Sequence, residues 1–178
     1  QFWRRWLVGE LVMTMQRAIT NVFGGWFQIG RQFPTETLDA IAARVAAGER
    51  THRGELRVAI ESRLPLPAVL EGVTARDRAT ALFAHLRVWD TEENCGVLLY
   101  VLLAEHRIEI VADRGIVARV GAGEWDAITA HMRDEFAKGH FREAALTGVD
   151  EVAALLARHF PSDGTPRTNE LPDAPLVL

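Results

Sequence analysis

Val97 to Leu103 is an unbroken apolar run, VLLYVLL, and it leaves the chain few ways to fold. Seven residues are too few for a stable isolated helix, and with no polar face to turn outward the run suits a central strand covered on two sides. Ala104-Glu105-His106 allows a short turn. Ile108, Ile110 and Ala112 then alternate with Arg107, Glu109 and Val111, the period of a second strand. An acidic loop containing Asp90, Glu92, Glu93 and Asn94 precedes the run, and Asp113-Arg114-Gly115 follows the hairpin. Pairing the two strands brings both loops to one end of the sheet.

The flanking pattern supplies the helices. Leu38, Ile41, Ala42 and Val45 share one helical face, with Gly48 as a stop. Glu55 to Glu61 alternates, placing Leu56, Val58 and Ile60 on one side of a first strand. Thr74 reads as a helix cap, helped by Asp77 three residues on, with Ala79, Leu82, Phe83 and Leu86 as the buried stripe. A short helix is expected over Ile116–Val120. A longer one over Glu124–Lys138 buries Trp125, Ile128, Met132 and Phe136, and another over Phe141–Phe160 ends at Pro161. No internal repeat is evident. The order predicts a three-layer α/β/α sandwich around a small mixed β-sheet, its first two strands parallel and the third antiparallel.

Three regions follow: an aromatic and basic arm at 1–33, an α/β domain at 34–160, and a tail at 161–178. The arm has Arg4, Arg5, Arg17 and Arg31 against Glu10, a net +3 that leaves −7 for the remainder of a chain of charge −4. Leu7, Leu11, Met15, Ile19, Val22 and Trp26 fall at helical spacing, and Gly24-Gly25 is expected to interrupt that helix. Such a face suits peripheral contact with a membrane, or packing on the domain or a partner protein. The tail holds four prolines and is expected to be flexible.

The acidic balance argues against nucleic acid as a partner. One cysteine, Cys95, excludes an internal disulfide and a multi-cysteine zinc site. No secretory signal or spanning apolar run is evident, so the expected location is cytoplasmic or peripheral at an inner membrane.

Strand direction places Glu55, the Asp90–Asn94 loop and Asp113-Arg114 at the same sheet edge. Carboxylates with an amide, and no sulfur or imidazole, suit a hard cation such as Ca2+ or Mg2+. Asp90, Glu92 and Asn94 match positions one, three and five of an EF-hand loop, but Cys95 replaces the glycine at six and Val101 the glutamate at twelve. This is not an EF-hand. The same residues also describe solvated strand ends, with Arg114 able to neutralise a carboxylate in place of a metal.

The stretches THRGELRVAIESRL, RDRATALFAHLRVWDTEENCGVLLYVLL and RIEIVADRGI, followed by a tryptophan-bearing helix and a last helix, resemble the TPM domain family. That family is named for thylakoid-lumen phosphatase-like, photosystem-repair and receptor-modulator members. The similarity is strongest to short bacterial members without an evident membrane anchor. It implies a mixed sheet between helices and, in some members, a calcium-like ion at the loops of one sheet end. Carried over by position, the ligands fall on Asp90, Asn94 and Asp113, with Glu93 and Glu55 beside them. It also implies one of two roles: an accessory module for a membrane-associated complex, or a weak metal-dependent acid phosphatase.

The residues themselves favour the module. Cys95 lacks an arginine six residues on, no Asp-x-Asp pair appears, and the six histidines have no ligand spacing.

Overall fold

The three segments read as strands form the body of the sheet: β1 (Glu55–Glu61), β2 (Gly96–Leu102) and β3 (Arg107–Ala112). The computed structural model describes residues 2–23, 29–165 and 167–178, with the backbone alone for 2–11 and 23. β1 pairs with β2 in parallel, Glu55 opposite Gly96 and Glu61 opposite Leu102. β3 returns antiparallel, with Val97 opposite Ala112. The helical crossover between β1 and β2, which holds two helices, and the short turn between β2 and β3 dictate these directions.

Eight helices surround the sheet among the described residues: α1 (Phe2–Phe23), α2 (Ile29–Gln32), α3 (Thr35–Gly48), α4 (Leu66–Leu70), α5 (Ala75–His85), α6 (Arg114–Val117), α7 (Ala122–Ala137) and α8 (Phe141–His159). Alternation along the strands divides the core in two. Leu56, Val58, Ile60, Val97, Leu99 and Val101 face α3, α7 and α8, meeting Ile41, Val45, Met132, Val152 and Leu156. Ala59, Leu98, Tyr100 and Leu102 face the other way, toward Val69 of α4, Ala79 and Leu82 of α5, and Ala18 of α1. β2 is buried at every position, as its apolar run requires. The three-layer arrangement is therefore the observed one.

Local signals account for several element ends. Thr74 caps α5 in a reciprocal box: its Oγ1 accepts from the Asp77 backbone N–H at 3.1 Å, and the Asp77 carboxylate accepts from the Thr74 N–H at 2.9 Å. Its stripe is narrower than expected, since Ala79 and Leu82 are buried while Phe83 and Leu86 are only partly so. The short helix after β3 starts at Arg114, two residues before the expected position, because Asp113 caps it. In the arm, the expected break at Gly24-Gly25 and the side chains of Leu7, Leu11 and Trp26 lie outside what is described.

The tail corrects an expectation. The described residues 161–165 and 167–178 are not a free Pro-rich segment; they cross the sheet end and finish as a fourth strand, β4 (Leu176–Val177), parallel to β1. The sheet order is β3-β2-β1-β4. The backbone N–H of Leu178 donates to Ile60 O at 2.9 Å, and Ser62 N–H donates to Leu178 O at 3.0 Å. Proline is compatible with extended chain at a sheet edge, so proline content alone did not exclude an ordered strap. Leu171 is buried within it and joins the core on the α5 side.

Gly96 marks the tightest backbone approach. A Cβ there would stand 1.8 Å from the Val88 carbonyl oxygen, so the loop entering β2 closes only over glycine. Gly96→Ala should destabilise the fold by about 3 kcal/mol, the scale of overpacking against an atom that cannot rotate away. Gly123→Ala, in α7 with nothing within 4 Å of the new methyl, should be neutral or stabilising by up to about 1 kcal/mol. Urea unfolding of the two variants beside the parent checks both.

Candidate functional site

The sheet end gathers the segments expected there. Glu55 N–H donates to Cys95 O at 3.1 Å, and Asp113 N–H donates to Gly96 O at 2.9 Å, tying the starts of β1 and β2 to the end of β3. The acidic residues do not converge, however. Among the described residues, no three His, Cys, Asp or Glu side chains form a group that could hold a metal ion. They divide into two sets with different partners.

Asp113 stands at the start of α6. Its Oδ1 accepts from the Arg114 backbone N–H at 2.7 Å. Its Oδ2 is buried and has no hydrogen-bond partner, although the residue is only 8% exposed. A buried carboxylate oxygen left unpaired is costly, and a native fold retains one only where something compensates. The first turn of α6 also lies close to the acidic loop: a Cβ at Gly115 would meet Asn94 O at 2.5 Å and Glu93 O at 3.3 Å. Glycine therefore lets two backbone carbonyls approach the turn that Asp113 caps. Asn94 adopts a left-handed φ of 53°, a conformation asparagine tolerates better than most residues, and its N–H donates to Thr91 O at 3.1 Å. Asp90 is exposed at the outer turn of the same loop.

Glu93 and Glu55 turn toward the strap instead. Glu93 pairs with Arg53 at 2.9 Å and with Arg167 of the strap. Glu55, 8% exposed, accepts from the Leu171 N–H at 3.3 Å. Burial raises its carboxyl above the usual range, and Glu170 and Asp173 add to the shift. Glu92 keeps its side chain in solvent while its N–H donates to the Glu170 carboxylate at 2.9 Å. Glu55, Glu92, Glu93 and Glu170 line a cleft of about 380 Å³ with Arg53 and Arg167.

A second cavity of about 200 Å³ opens beside it and contains residues that sequence reasoning passed over: Glu49, His52 and Asp173. Glu49 accepts from the Leu56 N–H at 3.1 Å, and burial, reinforced by Glu55 and Asp173, pushes its carboxyl up to about 8. His52 is 3% exposed with an unpartnered Nδ1, and burial lowers its imidazole to about 4. No signal in the sequence identifies these groups, because Glu49 and His52 meet Asp173 and the rest of the strap across more than a hundred residues of chain. Cys95 is inert for a related reason. Its Sγ donates to Arg53 O at 3.0 Å, and burial pushes the thiol up to about 11.

For a hard cation the two sets fit unequally. Asp113 offers a buried, unpartnered carboxylate oxygen at the turn that the Glu93 and Asn94 carbonyls approach through Gly115, and Asn94 and Asp90 lie on the adjoining loop. Glu93 would have to leave two arginines, and Glu55 the strap. The first set has the oxygen donor types that calcium or magnesium takes; in the second, Glu93 is held by two arginines and Glu55 by the strap backbone.

A TPM domain model matches residues 32–155 of this chain. Among solved structures, the NMR structure of the BA42 protein from the psychrophilic bacterium Bizionia argentinensis is similar, with 27% identity and a TM-score of 0.70. The similarity covers 80% of this chain and 92% of that one. A search of curated proteins finds no match. Among the described residues, no helix is long and apolar enough to cross a membrane.

The buried acid and imidazole make stability depend on pH in opposite directions. Glu49 has a higher carboxyl pKa folded than unfolded, so the folded chain holds a proton that the unfolded chain releases; its contribution is lost as pH rises from about 4.5 through about 8. His52 has a lower pKa folded, so stability falls as pH drops from about 6.5 toward 4. In chemical denaturation across this range, Glu49→Gln should gain stability over the parent progressively with rising pH. A constant difference at all pH values would contradict the assignment.

Proposed function

The chain belongs to the TPM domain family, and we propose that within it this protein is an accessory binding module that takes one divalent cation, Ca2+ or Mg2+, beside Asp113. The observation that carries this reading is the buried, unpartnered Asp113 Oδ2 in a turn approached by the carbonyls of Glu93 and Asn94. Asp113 would supply the charge, and Asn94 and Asp90 the neighbouring oxygen donors. A bound cation would neutralise the buried oxygen and tie the β2 entry loop to α6. The module's role is in the assembly or maintenance of a membrane-associated complex, a reading supported by apolar side chains that α1 leaves in solvent.

Hydrolysis of a phosphomonoester is the less supported role. It needs an activated nucleophile or water, and Cys95 is buried with its thiol pushed up to about 11.

Calcium titration followed by backbone NMR tests the proposal. Shifts should be confined to residues 90–96 and 113–116, saturating at about millimolar calcium or below. Asp113→Asn should abolish them while preserving the fold, because asparagine caps a helix as well as aspartate does. An unchanged spectrum at saturating calcium contradicts the proposal, as does a response centred on Glu55 and Glu170.

A further inference from the structure

α1 is attached to the domain through its polar residues. Asn21 is 1% exposed; its Oδ1 accepts from the Leu64 N–H at 2.8 Å, and its Nδ2 donates to Glu105 at 2.9 Å. One turn earlier, Arg17 donates to the same Glu105 oxygen at 2.9 Å and to Val73 O at 2.8 Å. The opposite side is apolar. Val12, Met15, Ile19 and Val22 are 41–56% exposed and recur at three- and four-residue intervals, so they form one stripe along the helix. A helix that packs only on its own domain turns its apolar face inward; this one does the reverse. α4 packs against α1 and adds Leu66 and Leu70, also exposed and four residues apart.

The charges around the stripe favour one occupant. From Val12 to Val22 the only charged residue is Arg17, which is fixed by Glu105. Arg63 is exposed and reaches the carboxyl end of α1, donating to Val22 O at 3.2 Å. Glu105 is occupied by Arg17 and Asn21, leaving Glu71 at the end of α4 as the exposed acid of that helix. An apolar stripe with Arg63 at its carboxyl end matches an anionic lipid surface: the apolar side chains enter the acyl boundary and the guanidinium group reaches headgroup phosphates.

We propose that the outer face of α1, with Leu66 and Leu70 of α4, docks the domain on an anionic phospholipid surface. This deepens the reading of the chain as an accessory module by naming the partner of its arm, and it does not require a bound cation. The helix lies in the interface plane, and the sheet end remains in water.

Cosedimentation of the full chain with vesicles, in buffer free of divalent ions, tests this. The chain should bind phosphatidylglycerol/phosphatidylcholine vesicles, bind phosphatidylcholine alone more weakly, and lose affinity as salt rises. Met15→Gln with Ile19→Gln should weaken binding about tenfold or more, with thermal unfolding unchanged because both side chains are already exposed. Arg63→Gln should weaken binding to the anionic vesicles and not to the neutral ones. Absence of binding to anionic vesicles overturns the proposal, as does equal binding by the double variant. A chain that sediments as a dimer and becomes monomeric in the double variant would assign the stripe to a second copy and overturn it too. Two variants separate the proposals: a double variant that keeps the calcium response at Asp113 while losing vesicle binding leaves the cation reading standing whatever the stripe does, and an Asp113→Asn chain that loses the calcium response while still binding anionic vesicles leaves the lipid face standing on its own.

Discussion

β1 is buried at all seven positions, yet three of them are ionic: Glu55, Arg57 and Glu61. A buried charge left without a partner costs about 3–5 kcal/mol, so each of these residues requires a partner from elsewhere in the chain. Glu61 receives a two-pronged contact from Arg78 of α5, at 2.8 and 2.9 Å, and the Tyr100 hydroxyl donates to it at 2.7 Å. Arg57 donates to the carbonyls of Pro172 and Ala174, and Glu55 accepts from the Leu171 N–H. The three charges lie on the same side of the strand as Ala59. They bring α5 over one end of that face and the carboxyl-terminal strap over the other.

The division of the sheet end follows from this arrangement. Once the strap crosses to reach Arg57 and Glu55, Arg167 meets Glu93 and Glu170 meets the Glu92 backbone. Those carboxylates are then committed to holding the strap. Asp113, on the far side of β2 from β1, lies beyond its reach and keeps one oxygen unpaired. The acidic edge seen in sequence thus divides into a cleft whose carboxylates hold the strap and one unpartnered carboxylate oxygen at Asp113. The strap also helps enclose Glu49 and His52, whose shifted groups make folding stability depend on protonation in opposite directions.

Much of this was legible in the residues. Apolar run length identified β2 as central, alternation identified β1 and β3, and connection lengths gave their directions. The meeting of Glu55, Asp90–Asn94 and Asp113 at one edge followed from topology alone. What could not be read depends on contacts between distant segments. The alternation of Glu55–Glu61 is that of a strand with one solvated face, but its polar face is covered by α5 at the Glu61 end and by residues 171–174 at the Glu55 end. Prolines signalled disorder where they mark an edge strand, and nothing local to Glu49 or His52 shows that the strap covers them. Exposure of the α1 stripe was similarly hidden, since the helical spacing of Met15, Ile19 and Val22 is the same whether that face points inward or outward.

The dependence of the strap on the buried charges of β1 is tested most directly by amide hydrogen exchange. The Leu171 and Leu178 N–H groups, bonded to Glu55 and Ile60, should exchange slowly, close to the rate of the β1 and β2 amides. In Arg57→Met they should lose protection while β2 retains it. Rapid exchange at Leu171 and Leu178 in the parent chain, with the β1 and β2 amides still protected, would contradict the strap as part of the folded domain.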